Sequence, residues 1–89
     1  MAQTLLERHL AACVQIVGPV ESHYWWKGER EVAEEWLCVI KTTRRVYGQV
    51  EQVLRDVHTY ELPEVTAVPI VAGSREYLSW LAAHAAGLP

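Results

Sequence analysis

The feature that most constrains this sequence is a long strand pattern that turns back on itself at Lys27-Gly28-Glu29, three residues with hairpin turn chemistry. Before the turn, Val20-Glu21-Ser22-His23-Tyr24-Trp25-Trp26 reads as extended. After it, Val32, Glu34, Trp36, Cys38 and Ile40 point one way, while Ala33, Glu35, Leu37, Val39 and Lys41 point the other. Further upstream Ala12-Cys13-Val14-Gln15-Ile16-Val17 is a short apolar strand, and Gly18-Pro19 reads as a bulge or bend between the two extended runs. Polar residues gather near the turn and apolar ones farther along. A hairpin of this length in an 89-residue chain projects beyond the core, so its aromatic residues stand exposed unless another chain covers them.

The hairpin sits between helical patterns. Residues 2–10 hold helix formers with Leu5, Leu6 and Leu10 at helical spacing. Across residues 44–57 the period changes from 2 to 3.6. Val46, Val50, Val53, Leu54 and Val57 form an apolar stripe, with Arg45, Gln49, Gln52 and Asp56 off it, which predicts an amphipathic helix. Pro63 forbids its continuation. Residues 65–71 are β-branched and apolar and predict a strand, with a free edge or bulge at Pro69. Gly73-Ser74 ends that strand and caps a final helix over residues 75–86, whose Tyr77, Leu78 and Leu81 face the body.

The order helix, strand, strand, helix, strand, helix becomes β-α-β-β-α-β once one strand is placed in front. The expected fold is therefore α+β, a ferredoxin-like split βαβ sandwich lacking most of its first strand, with a long hairpin and a C-terminal helix, in a single domain over residues 1–89. The stripe at Leu5, Leu6 and Leu10 is already in progress at the first residues with no cap ahead of it. Met1 is thus expected to be an internal position of a longer reading frame, and the unpaired backbone beside the missing strand to favour poor solubility or strand swapping.

Composition removes several function classes. Half the residues are apolar, with four Trp, four Tyr and no Phe, which is too apolar for a disordered chain. A net charge of −3 with scattered basic residues excludes a binder of nucleic-acid backbone. No apolar run approaches the roughly 20 residues that span a bilayer. Leu10-Ala11-Ala12-Cys13 looks like a lipoprotein cleavage box, but Glu7, Arg8 and His9 precede it where an apolar stretch is required. Cys13 and Cys38 have no CxxC spacing and read as buried thiols in a reducing compartment, so a cytoplasmic location is expected. Trp25, Trp26, Trp36 and Trp80 read as core or interface anchors, His9 and His84 as surface residues at helix ends, and His23 as a hairpin residue.

Chemistry concentrates in residues 57–65, Val-His-Thr-Tyr-Glu-Leu-Pro-Glu-Val. Imidazole beside carboxylates suits a metal site or an acid–base pair, and His58, Glu61 and Glu64 are the candidate ligands. No nucleophile or phosphate-cradling loop accompanies them, and Ser22, Thr42, Thr43 and Ser74 stand in no elbow or triad context, so an enzyme is not expected. The same stretch also reads as a hinge. His58 at a helix end complements the dipole, Tyr60 supplies a ring to bury, Glu61 and Glu64 accept backbone or Lys41 donors, and Pro63 starts a strand. The hinge reading stands first, with ligand binding at an intersubunit cleft beside it.

Five motifs then occur in order. They are Glu7-Arg8-His9-Leu10-Ala11-Ala12-Cys13-Val14, Ser22-His23-Tyr24-Trp25-Trp26-Lys27-Gly28, Ile40-Lys41-Thr42, His58-Thr59-Tyr60-Glu61-Leu62-Pro63-Glu64 and Tyr77-Leu78-Ser79-Trp80-Leu81. Together they resemble the CutA divalent-cation tolerance proteins over almost the whole chain, the second matching S-x-Y-x-W-x-G and the fourth H-P-Y-E-x-P-E, with Thr59 where that family usually has proline. The resemblance implies a ferredoxin-like homotrimer with hairpins wrapped around neighbouring subunits, a role in tolerance of copper and other divalent cations, and no settled enzymatic activity. It implies a copper or other divalent cation as bound ion. Of the family's proposed copper ligands, a cysteine on the opening strand and paired histidines, only His58 carries over, with Glu61 and Glu64 left to supply oxygen. Tyr24, Trp26, Lys41, Tyr60 and Glu61 are the expected lining of an intersubunit cleft. The competing expectation is a trimeric signalling or interaction scaffold whose link to metal is indirect.

Overall fold

Period-two alternation becomes one antiparallel hairpin in the computed structural model, whose described residues are 1–57 and 62–89. Strand β1 (Cys13–Trp26) pairs with β2 (Glu29–Lys41) from Trp26↔Glu29 at the turn to Cys13↔Lys41 at the base. Lys27 and Gly28 close the turn with φ of 49° and 80°, the pair of left-handed residues that lets a two-residue connection match the twist of its strands. The register shifts between Val17 and Val20, where Gly18-Pro19, a cis peptide, lies opposite Trp36. A Cβ on Gly18 would sit 2.7 Å from Trp36 Cε3, so the indole reaches the bulge only because residue 18 has no side chain.

Helix α1 (Ala2–Glu7) is shorter than its apolar stripe suggests. It ends in a Schellman turn: His9, at φ 53°, donates its N–H to Leu6 O at 3.1 Å, and Leu10 N–H reaches Leu5 O at 2.9 Å. The apolar contact of that motif is made by Leu5 and Leu10, both buried. A 3₁₀ turn (Arg44–Val46) leads into α2 (Tyr47–Val57), and α3 (Arg75–His84) starts at the expected cap, with Ser74 Oγ accepting from Tyr77 N–H at 3.3 Å.

The core lies at the base of the hairpin. Leu5, Leu10, Ala11, Val46, Val50, Val53 and Leu54 are buried together, and Val14, Ile40 and Val65 pack against them. Val14 and Ile40 face each other across the ladder, so the even-numbered side of β2 is the one that carries the helices. The base is stitched by Ala12 N–H to Lys41 O (2.9 Å) and Thr42 Oγ1 to Leu10 O (2.6 Å). Thr43 Oγ1 donates to Ala85 O (2.8 Å) and Gly87 N–H to His9 O (2.8 Å), fastening the C-terminal turn to the same corner.

Three expectations need correction. Residues 65–71 form no ladder, and Val68 and Val71 are 86% and 92% exposed. β1 and β2 pair only with each other, so among the described residues no strand edge reaches this segment, and β-branched side chains cannot make a strand alone. On α3 only Leu81 is buried. Leu78 is half-buried, and Tyr77 turns outward to lie 5.7 Å from the Trp80 ring. Cys13 and Cys38 are half-buried free thiols rather than fully buried ones. Their ladder partners, Lys41 and Ile16, are of opposite parity, so they lie on opposite faces and cannot bridge.

Candidate functional site

The register sorts the hairpin into two faces. One carries Val14, Ile16, Trp36, Cys38 and Ile40 toward the helices. The other holds Cys13, Gln15, Val17, Tyr24, Trp26, Glu29, Glu31, Glu35, Leu37, Val39 and Lys41, none of which packs on the core cluster among the described residues. Three of the expected cleft residues, Tyr24, Trp26 and Lys41, therefore share one face. They stand at its opposite ends. Tyr24 and Trp26 pair with Glu31 and Glu29 beside the turn, whereas Lys41 pairs with Cys13 at the base and donates from Nζ to Gln15 Oε1 at 3.1 Å. The 13 residues of β2 span about 40 Å, close to the 45 Å longest extent of the molecule, so one copy does not bring these side chains together.

His58, Tyr60 and Glu61 lie outside the described residues. Glu64 is exposed, next to Val65, which packs on the core. Among the described residues no group of three or more His, Cys, Asp or Glu is arranged to hold a metal ion. Of the proposed donor set, then, one copy displays Glu64 alone among those residues.

Sequence reasoning missed a shallow groove of about 500 Å³ near the turn, lined by His23, Tyr24, Trp25, Arg30, Glu31 and Val32. Pairing outward from Lys27-Gly28 was the signal for it, since that register sets Arg30 opposite Trp25 and Val32 opposite His23. His23 Nε2 is 2.9 Å from Glu21 Oε2, and Lys27 Nζ lies 5.7 Å from the centre of the Trp26 ring. Trp25 is 72% exposed. The hairpin aromatics are thus outside the core, and exposed rings with a few charged groups suit a protein contact better than chemistry.

Two other titratable groups have defined settings. His84 lies 5.0 Å from Trp80 ring to ring, and its Nδ1 is 2.8 Å from the Trp80 carbonyl. A carbonyl only accepts, so Nδ1 carries the proton and Nε2 is left as the acceptor in the neutral ring. The Tyr47 phenol is held above its usual range, first by its hydrogen bond to Glu51, then by desolvation and the Glu51 charge. Glu51 also accepts from Arg55.

The family described as CutA1 divalent ion tolerance protein matches residues 1–84. The divalent-cation tolerance protein CutA of Thermus thermophilus is 42% identical over 81 residues, which are 91% of this chain and 79% of that protein. Its solved structure superposes with a TM-score of 0.87, covering 90% of this chain and 78% of that one. The structure of CutA from Archaeoglobus fulgidus, described as a periplasmic divalent cation tolerance protein, gives a TM-score of 0.89 at 37% identity, covering 94% of this chain and 81% of that one. A structure from Nostoc described as the PII-like protein CutA gives 0.86 at 32% identity, covering 94% and 82%.

Proposed function

Since this chain belongs to the CutA1 divalent ion tolerance family, we propose that it serves divalent-cation tolerance as a cytoplasmic homotrimer that binds copper, another divalent ion or a small ligand where subunits meet. The observation that carries this reading is the split of Tyr24 and Trp26 from Lys41 along one face of the hairpin. A cleft containing all three needs a second copy, whose turn end would lie against the base of the first. Exposed aromatics at the turn supply the anchors of such a contact. His58, Glu61 and Glu64 are the donors assigned to the cation, one imidazole and two carboxylates per subunit, multiplied by the symmetry of the assembly.

The competing reading is a trimeric signalling or interaction scaffold without direct metal binding. Two measurements separate the possibilities. Light scattering should give three times the 10.1 kDa subunit mass, and a monomer at micromolar concentration would overturn the trimer. Calorimetric titration with copper should show saturable micromolar binding that His58→Ala abolishes. A flat trace leaves the scaffold.

A further inference from the structure

The groove near the turn lies toward the free end of the hairpin face whose base carries the helices. By the register, His23, Trp25, Arg30 and Val32 from its lining belong to that face. The next ladder pair toward the base on the same face is Glu21 with Glu34, and Trp36 follows at the bulge. All seven side chains are exposed. From base to tip the face therefore presents an indole, two carboxylates, an imidazole beside a valine, and a second indole beside a guanidinium. Exposed indoles and a valine around a groove of about 500 Å³ are the makings of a contact rather than of a core.

The charges say what meets them. Glu21 and Glu34 stand directly opposite each other, an arrangement of like charges that opposes strand pairing, so the hairpin itself gains nothing from it. His23 Nε2 lies 2.9 Å from Glu21 Oε2, one imidazole against two carboxylates. Lys27 has its own contacts at the turn, about 17 Å along the strand from this pair and beyond side-chain reach of it. Residues 20–35 hold five glutamates against Lys27 and Arg30, so an acidic excess remains even with each of those cations matched to one glutamate. Spacing supplies the rest. Trp36, Glu34 and Val32 recur about every 7 Å along β2, which is also the repeat of side chains on one face of any extended chain.

We propose that this face docks a basic, extended segment of a partner protein. A lysine or arginine of the partner sits over Glu21 and Glu34, and apolar side chains two residues to either side of it rest on Trp36 and in the groove beside Trp25 and Val32. The indoles supply affinity as they lose water, and the carboxylate pair selects by charge. Arg30 sets the direction, because it repels a cation at the tip and favours one seated inward. The face is the opposite one from Trp26 and Lys41, so the proposal depends on neither the trimer nor a bound cation.

Fluorescence anisotropy on the whole chain tests it. The probe is a fluorescein-labelled peptide, Ser-Ser-Leu-Ser-Lys-Ser-Leu-Ser-Ser, which places leucine two residues to either side of a lysine. It should bind saturably, and its counterpart with glutamate for lysine should bind at least 100-fold more weakly. Trp25→Ala and the double variant E21Q/E34Q, each checked for native circular dichroism, should each weaken binding at least tenfold. E29Q/E35Q makes the same change of charge on the opposite face and should leave binding within twofold. No saturable binding of the lysine peptide overturns the proposal. Equal loss in E29Q/E35Q also overturns it, since attraction would then follow overall charge and not this face. Weakened self-association of Trp25→Ala or E21Q/E34Q in light scattering would give the face to a second copy of the chain and overturn it as well.

Discussion

Gly18 faces the Trp36 ring so closely that adding one carbon tests how the bulge is built. In Gly18→Ala the new Cβ would lie 2.7 Å from Trp36 Cε3, 3.0 Å from Cδ2 and 3.2 Å from the Glu35 carbonyl oxygen. Carbon atoms pack at about 3.5–4.0 Å, so the ring must retreat by roughly 1 Å or leave the bulge. Forced overpacking of this size costs about 1–3 kcal/mol, a sizeable share of a total stability of about 5–15. Because Trp36 is 59% exposed, it can swing outward, whereas the Glu35 carbonyl belongs to the ladder and cannot. Most of the loss should therefore run through the indole. The assay is a double-mutant cycle from denaturant unfolding of the parent, Gly18→Ala, Trp36→Ala and the double variant, at matched protein concentration because association shifts apparent stability. Gly18→Ala alone should lose about 2 kcal/mol, lowering Tm by roughly 8–16 °C for a domain of this size. In the Trp36→Ala background it should lose less than about 1, giving a coupling of about 1–2 kcal/mol. Additivity within about 0.5 kcal/mol would refute the steric argument and place the glycine requirement in the backbone alone.

Two further predictions concern helix ends and pH. His9 holds a left-handed φ of 53° that disfavours a side chain by about 1–2 kcal/mol, of which the greater freedom of glycine in the unfolded chain returns about 0.4–1. His9→Gly should accordingly stabilise by about 0.5 kcal/mol and raise Tm by roughly 2–4 °C, and a lowered Tm in a thermal melt would count against the Schellman reading. The Tyr47 phenol, held above its usual range first by Glu51, donates as long as it keeps its proton. Its contribution is present through neutral pH and lost as pH rises past the ordinary phenol range through the folded value. An ultraviolet titration should show a late ionisation that Tyr47→Phe removes; no such step in the parent would refute it.

What could be read from the chain depended on whether the determining groups were side chains or partners. The hairpin was legible because its turn residues and its alternation are side-chain properties, and the register then followed outward from Lys27-Gly28. Helix α2 and the Ser74 cap were legible for the same reason. The end of α1 was not, because its αL position is filled by His9, and only Leu5 and Leu10 closing on each other show why a histidine is held there. Residues 65–71 misled because β-propensity describes a surface that needs a neighbour, and among the described residues no strand pairs with them. At the site, the resemblance grouped Tyr24, Trp26 and Lys41, and the observed register puts them on one face. Their separation along β2 showed that sharing a face is different from sharing a cleft.

The bonds that fasten Gly87 to His9 and Ala85 to Thr43 also have a consequence in time. The hairpin can zip outward from its turn, each new pair closing only a small additional loop. The corner fastening joins residues 9 and 87, almost the full chain apart, and the entropy of closing a loop rises with its length. Contacts of that kind are expected late, after the transition state has assembled the hairpin base and α2. Weakening them, as by removing the Thr43 hydroxyl, then leaves the folding rate nearly unchanged and speeds unfolding. Residues 85–87 thus govern how long the fold persists more than how fast it forms.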